Sequence, residues 1–472
     1  MRARLSTASA VLALASLPAF AADRPISADD ARALEIFRTI ISMRTAEGRG
    51  QVPAMAAYLA GELKKAGFAK KDVEIRRTGE TAALVARYRG DGSSGKKPIL
   101  FLAHMDVVDA LPEDWELNPF ELTEKDGYFF GRGVTDNKYG VANLTQTFIR
   151  LKKEGFVPDR DLIIVFTGDE ESSMVTTRAL AADPALAAAE FALNTDAGGG
   201  SLGPDGAPFV YAVQAAEKTY ADFELTATNP GGHSSRPRPD NAIYDLAAAI
   251  EKVRSLRFPV MSNEITRQAF AATGASLGGD LGKAMIAFSK NPKDIKSAER
   301  IAADPAYVGM TRTTCVATQL KAGHAPNALP QTATANVNCR IFPGMTVDEV
   351  RSALANAVGD ERIAVKVIDE PTVSPISPPR EDVLGAVAKA VHARYPGTPV
   401  ITYMESGGTD GMHFRIAGVP TYGASAIVMK EEDGFAHGLN ERLPVDAFFG
   451  GLEHWSIIIK ELAGRKGVSS AP

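Results

Sequence analysis

"FLAHMDVVDA", residues 101–110, is an apolar run that ends in a histidine with a carboxylate two positions later. Read as a strand, its side chains alternate between faces, so His104 and Asp106 point the same way. The preceding residues extend it to "KPILFLAHMDVV" (97–108), apolar throughout as a strand buried on both faces is. "DLIIVFTGDEE" (161–171) has the same build and ends in Glu170 and Glu171, and the shorter "FALNTDAGGG" (191–200) ends in Asp196. Between the first two, "VANLTQTFIRLKKEGF" (141–156) carries Val141, Leu144, Phe148 and Leu151 at helical spacing and closes at Gly155. Strands alternating with helices predict an α/β fold with a mainly parallel sheet, whose chemistry belongs at the carboxyl edge of the strands.

From about Glu217 the texture changes. "YADFELTATN" (220–229) alternates as a strand, "NAIYDLAAAIEKVRSL" (241–256) is helical, and "TRTTCVATQLKAG" (311–323) and "QTATANVNCRIF" (331–342) read as strands. "TVDEVRSALANAV" (346–358) is helical again and "RIAVKVID" (362–369) is a strand. The order β-α-β-β-α-β is that of a ferredoxin-like unit. The expected organisation is a catalytic domain over 22–216 and 371–472, interrupted by an inserted lid or dimerisation domain over 217–370. Within that insert, 257–310 is a further insertion.

A chain of 472 residues exceeds what one hydrophobic core usually serves, so more than one domain is expected. A net charge of −5 gives no reason to expect nucleic acid or an anionic membrane as a partner. Residues 1–21, "MRARLSTASAVLALASLPAFA", run from Arg2 and Arg4 through an apolar stretch to Ala19-Phe20-Ala21. That is the order of a secretory signal and is too short to span a bilayer, so an exported chain without a membrane anchor is expected, periplasmic if the source is Gram-negative. The two cysteines, Cys315 and Cys339, either pair across a hairpin or stay as buried thiols; they are not spaced as a metal site.

The candidate catalytic residues are His104, Asp106, Asp136, Glu170, Glu171, Asp196 and His437. Asp136 lies in the glycine-punctuated "GRGVTDNKYG" (131–140) and His437 in "FAHGLNE" (435–441). One carboxylate at a strand end is more often a cap or a solvated turn residue. Seven such residues, each where a strand or helix meets a loop, are not explained that way. Two imidazoles and several carboxylates suit zinc, with cobalt or manganese as substitutes, and do not suit calcium. Five ligands for two ions require one bridging carboxylate. Adjacent Glu170 and Glu171 suit two tasks, a general base and a ligand. Asp106 is placed to orient His104 by accepting its second ring N–H.

The motifs "HMD", "GRGVTDNK", "DEE", "NTDAG", "GGHSSRP", "NALP", "NCRIFPG", "SGGTD" and "AHG" together resemble those of the co-catalytic zinc exopeptidases and deacylases. That group includes aminoacylase, carboxypeptidase G, succinyl-diaminopimelate desuccinylase, acetylornithine deacetylase and the zinc dipeptidases. The resemblance implies His104 and Asp196 on one zinc, Glu171 and His437 on the other, Asp136 bridging, and Glu170 as general base with Asp106 as the clamp. It also implies that His233 helps stabilise an oxyanion, within the subunit or from a dimer partner. Asn327 and Arg340 would contact substrate, the arginine through its carboxylate, and Gly407 and Gly408 would shape a nearby loop. Ser172 and Ser173 stand where many relatives carry glycines, and Asp196 stands where many acylases carry glutamate, which tilts the reading toward a peptidase. His324 and His413 are taken as structural or substrate-proximal.

The expected activity is hydrolysis of peptide bonds in small peptides by a metal-activated water, of dipeptidase or exopeptidase type. The alternatives are an N-acyl amino acid amidohydrolase using the same two zinc ions, and a non-catalytic zinc- or peptide-binding protein. The oligomeric state is left open: the 257–310 insertion would either mediate a homodimer through the inserted domain or replace one by supplying lid surface within the monomer.

Overall fold

The structure, a computed structural model, describes residues 26–203, 205–368 and 370–465. The expected signal segment, 1–21, lies outside these. The main sheet has ten strands. At its centre Ile99–His104 lies between Leu162–Thr167 and Phe191–Asn194, parallel to both. Thr421–Gly423 continues the parallel set beyond Phe191–Asn194. The flank Val73–Thr78 and Thr81–Tyr88 joins antiparallel, as a hairpin edge on a largely parallel sheet.

Every residue of Ile99–His104 and of Leu162–Thr167 is buried, which is why both runs are unbroken in apolar character. The period of two still decides the packing. Phe101, Ala103, Ile164 and Phe166 enter the core on one face, together with helices Ala28–Ile41, Val52–Lys65, Lys138–Lys153 and Val445–Ala463. Leu100, Leu102, Ile163 and Val165 enter a smaller core on the other, with Leu180, Leu186 and Phe414. The helix expected at 141–156 runs from Lys138 to Lys153, and Gly155 turns the chain at φ +74°.

A second sheet has four antiparallel strands, ordered Thr314–Ala322, Thr332–Ile341, Thr219–Thr228, Ile363–Ile368. Helices Ala242–Ser255 and Val347–Val358 cover one of its faces, with Phe223, Leu225, Val337, Leu246 and Leu354 in the core. Thr346 begins the second helix with a capping box closed by Glu349. The stretch 257–310 forms three helices, Glu264–Leu277, Gly279–Lys290 and Ile295–Ala302. Ile265 of the first is buried in the main core, and Phe270, Met285, Phe288 and Ile301 make a small core of their own. Cys315 and Cys339 face each other across the antiparallel pair and are joined by a disulfide, which closes the alternative the sequence left open.

Candidate metal centre

Three neighbouring strand ends deliver the centre of the site. His104 is the last residue of its strand, Glu170 and Glu171 follow Leu162–Thr167, and Asp196 follows Phe191–Asn194. Asp136 and His437 arrive on loops from elsewhere. The buried His104 places Nε2 2.8 Å from Asp136 Oδ1 and 3.4 Å from Asp196 Oδ1. Asp136 turns its other oxygen to His437, 3.0 Å from Nε2. His437 Nε2 is in turn 2.9 Å from Glu171 Oε1. The order in space is therefore Asp196, His104, Asp136, His437, Glu171, with one oxygen of Asp136 given to each imidazole. The ligand atoms of His104, Asp136 and Glu171 form one group within 4.8 Å, and those of His104, Glu170 and Asp196 form another.

The surroundings hold these groups in place. Asn137 Nδ2 donates to Asp196 Oδ1 at 2.9 Å, while the Asn137 oxygen accepts from Thr195. The two oxygens of Asp106 accept the backbone N–H groups of Glu170 and Glu171 at 3.1 and 3.0 Å. His104 Nδ1 lies 3.0 Å from the backbone carbonyl of Asp106 and 3.6 Å from its carboxylate. The orienting contact to His104 thus comes first from main chain, and the carboxylate fixes the Glu170–Glu171 turn. The sequence pattern anticipated the neighbourhood but not this division, because a period of two cannot distinguish a side-chain acceptor from its own carbonyl.

Burial pushes the Glu170 carboxyl well above its ordinary range, and the nearby Asp196 charge pushes it further. Burial also raises Asp196, to about 7. Asp136 is partly buried, which opposes its charge, but the two imidazoles that hydrogen-bond it hold its carboxyl low. Burial opposes charge on His104, yet Asp196 and the other carboxylates around it raise its pKa well above normal. His437, half-exposed, is raised to about 10 by Asp136 and then Glu171. These groups therefore favour positive charge strongly at the points where carboxylate and imidazole meet. That donor set, nitrogen and oxygen in alternation around a two-faced aspartate, fits divalent transition metal.

The residues expected to meet substrate lie apart from this cluster. His233 is exposed on the two-residue strand Gly232–His233, paired with Ala328–Leu329, and its Nδ1 is 2.8 Å from Ser235 Oγ. The Asn327 carbonyl accepts the Ser234 N–H, so His233 and Asn327 share one small ladder. Arg340 stacks on Tyr220 at 4.7 Å and donates to the Ser406 carbonyl at 3.2 Å. Gly407 and Gly408 follow Ser406, and a Cβ on Gly408 would meet Met412 Cε at 2.7 Å.

Several buried polar residues around the site carried no sequence signal of their own. Asp410 accepts from Thr167 at 2.6 Å and from Thr177. Asp169 accepts the N–H of Val175 and of Thr176 behind the glutamate turn. Arg132 and Glu441 lie between the Asp136 and His437 loops. Both stand inside motifs read for their ligands alone. Two charged residues in two glycine-bearing loops that converge were the available clue.

A family model described as Peptidase family M20/M25/M40 matches residues 100–461. The chain is 33% identical over 371 residues to an N-fatty-acyl-amino acid synthase/hydrolase of Xenopus tropicalis, covering 74% of this chain and 69% of that one. Among solved structures it resembles an M20 family metallo-carboxypeptidase from Sulfolobus solfataricus, with TM-score 0.70 and 18% identity over 91% of this chain and 99% of that one. A di-peptidase of Saccharomyces cerevisiae gives TM-score 0.67 and 17% identity over 92% and 96%. With its two-histidine, carboxylate-rich centre at the sheet edge, the chain belongs to the peptidase family M20/M25/M40 and is a hydrolase of that family.

Proposed function

We propose that the chain is an exported zinc hydrolase that cleaves the amide bond of a small substrate ending in a free carboxylate. The observation that carries this is Asp136, which gives one carboxylate oxygen to each of two imidazoles, at 2.8 and 3.0 Å. His104 and Asp196 would hold one zinc ion, Glu171 and His437 a second, and Asp136 both. Bound there, the metal pair supplies an acidified water and polarises the scissile carbonyl.

The chain's own groups do the rest. Glu170, its carboxyl raised by burial, takes a proton from the attacking water and returns it to the leaving nitrogen. Asp106 fixes the turn that carries Glu170. Arg340 grips the substrate carboxylate; one of its nitrogens is already given to Ser406, and a guanidinium has donors to spare. Gly407 and Gly408 leave room beside it.

The unit over 217–370 acts as a ferredoxin-like lid that brings Arg340, Asn327 and His233 to the substrate, between catalytic parts over 22–216 and 371–472. Its edge strand Thr314–Ala322 is exposed along most of its length, with Val316 60% and Leu320 66% accessible. Such an edge favours pairing with a second copy. The disulfide supports export, because such bonds persist in oxidising compartments. Among the described residues no helix is long and apolar enough to cross a membrane.

Two substrate classes share this chemistry. Aspartate at position 196 favours a dipeptide, while the 33% identity to an N-fatty-acyl-amino acid synthase/hydrolase favours an N-acyl amino acid. A panel of both classes, run on zinc-loaded protein with a chelated control, decides between them. Glu170→Gln is expected to retain metal and to lose activity by about 10²–10⁴-fold. Normal turnover by that variant would remove the general-base assignment, and turnover unaffected by chelation would remove the metal.

A further inference from the structure

Strand Tyr128–Phe130 pairs with Arg442–Pro444, and beyond Phe130 and Arg442 the two chains part. One leaves as residues 131–137 and carries Asp136; the other arrives as 437–441 and carries His437. The last rung between them is Gly131 N–H to the Glu441 carbonyl, 3.2 Å. Past that rung no ladder holds the loops in register. Even so, Asp136 Oδ2 and His437 Nε2 come within 3.0 Å.

The gap is spanned by side chains. Glu441 is completely buried. Its Oε1 accepts Thr135 N–H at 2.8 Å, Thr135 Oγ1–H at 2.6 Å and Asp136 N–H at 3.2 Å. Its Oε2 accepts Gly133 N–H at 3.0 Å and Arg132 Nη1–H at 2.9 Å. The other arginine nitrogen, Nη2, donates to the carbonyls of His437 and Gly438 at 3.3 and 3.1 Å. The guanidinium lies over the Trp115 ring at 5.1 Å, so it is packed as well as bonded. His437 and Asn440 are both in the left-handed region, at φ 63° and 55°, which costs a non-glycine residue energy unless its surroundings hold it.

We propose that Glu441, together with Arg132, is a positioning pair that sets the separation of Asp136 and His437 and thereby the affinity of the metal centre. Glu441 acts through the backbone of 133–136, and Arg132 transmits the same anchor to the backbone of 437–438. A pair that served only to neutralise its own charges would need none of the main-chain contacts on either side. Glutamine has the shape of Glu441 but can accept at only one end. Its amide nitrogen must then face either Gly133 N–H and Arg132, or the three donors around Oε1. The inference rests on the metal reading above.

The test uses the full chain, stripped of metal and titrated with zinc against a chromophoric chelator, with thermal unfolding measured in parallel. Glu441→Gln is expected to fold and to bind zinc 10- to 100-fold more weakly, the range found when groups that orient metal ligands are removed. Val387→Ala, a cavity in the helix Glu381–Arg394, controls for general destabilisation and is expected to stay within twofold of the parent. Zinc affinity in Glu441→Gln within twofold of the parent overturns the proposal. If Glu441→Gln does not fold, Thr135→Val removes one of the five bonds and leaves the rest. A loss of 3- to 10-fold there supports the proposal, and an unchanged affinity overturns it. Failure of the parent itself to take up zinc defeats the metal reading and this inference with it, and the parent titration alone identifies that case.

Discussion

Replacing Asp106 by asparagine separates two roles that the sequence placed on one carboxylate. Asp106 is 4% exposed, and its oxygens accept the amides of Glu170 and Glu171 at 3.1 and 3.0 Å. A hydrogen bond from an amide to a buried charged acceptor contributes about 1.5–3 kcal/mol. Asparagine keeps one acceptor and turns an NH₂ toward the other amide, so one bond is lost and one buried donor is left unmatched. The expected loss of stability is about 2–4 kcal/mol. The turn that carries Glu170 loosens, and a displacement of about 1 Å of a catalytic group costs on the order of 10²-fold in rate. His104 keeps its anchor, because Nδ1 faces the Asp106 backbone carbonyl, which the substitution does not alter. Glu171, expected on zinc, loses an amide anchor on the same turn, so zinc affinity is expected to fall about tenfold through Glu171 and not through His104, while kcat falls 10- to 100-fold. Urea unfolding at fixed zinc, zinc titration and steady-state kinetics measure the three quantities. A hundredfold loss of zinc affinity with unchanged stability would refute the reasoning and return the carboxylate to the imidazole.

Acid should destabilise the fold through His454, whose imidazole is driven down to about 3 by burial. Between pH 6.5 and 3 the unfolded chain binds a proton that the folded chain refuses, so the stability present above pH 6.5 is lost as pH falls, by about 4–5 kcal/mol at pH 3. Denaturant unfolding from pH 7 to 4 should show that slope, and His454→Gln should flatten it. Removing the disulfide with Cys315→Ser and Cys339→Ser should lower stability by about 2–4 kcal/mol, read as a fall in the urea midpoint at pH 7. Gly133→Ala should destabilise by about 1–3 kcal/mol and weaken zinc binding. Gly133 has φ +88° and a Cβ there would come 2.8 Å from Val107 Cγ1, so a variant with parental midpoint and affinity would show that the loop tolerates the change.

The parts of this protein that could be read from sequence were those in which local pattern and burial agree. The six residues of Ile99–His104 are all apolar until the histidine because both sheet faces are covered, and the same holds for Leu162–Thr167. His104, Glu171 and Asp196, expected as ligands, were legible as candidates because they close or follow such runs directly. Asp136 and His437 were legible only through their motifs, since no strand delivers them. The geometry that ties them together was not. Arg132 and Glu441 are 309 positions apart, and nothing local marks a glutamate that will be wholly buried against five donors. The helices Glu264–Leu277, Gly279–Lys290 and Ile295–Ala302 were not drawn from the sequence, although each buries a stripe at helical spacing: Ile265, Ala269 and Thr273 in the first, Gly282, Met285 and Phe288 in the second, Ala298 and Ile301 in the third.

The pinning groups explain how so acidic a centre keeps its shape. Asp136, Glu170, Glu171 and Asp196 would repel one another across a few ångströms if the loops that bear them could move. Each loop is instead tied from behind through its backbone. Asp106 holds the amides of 170 and 171, Asp169 those of 175 and 176, Glu441 those of 133, 135 and 136, and the Asn194 amide oxygen that of 196. Three of these four acceptors are themselves carboxylates, so the anchoring raises the negative charge of the region. Arg132 and the buried Lys138 answer part of it, beside Glu441 and Asp106, and the two imidazoles answer part of the rest. A site built this way gains rigidity and accumulates a charge deficit in the same step. Divalent ions between His104, Asp136 and His437 would relieve that deficit where the loops meet. The rigid backbone and the demand for metal thus have one physical origin, the use of buried carboxylates to hold main-chain amides.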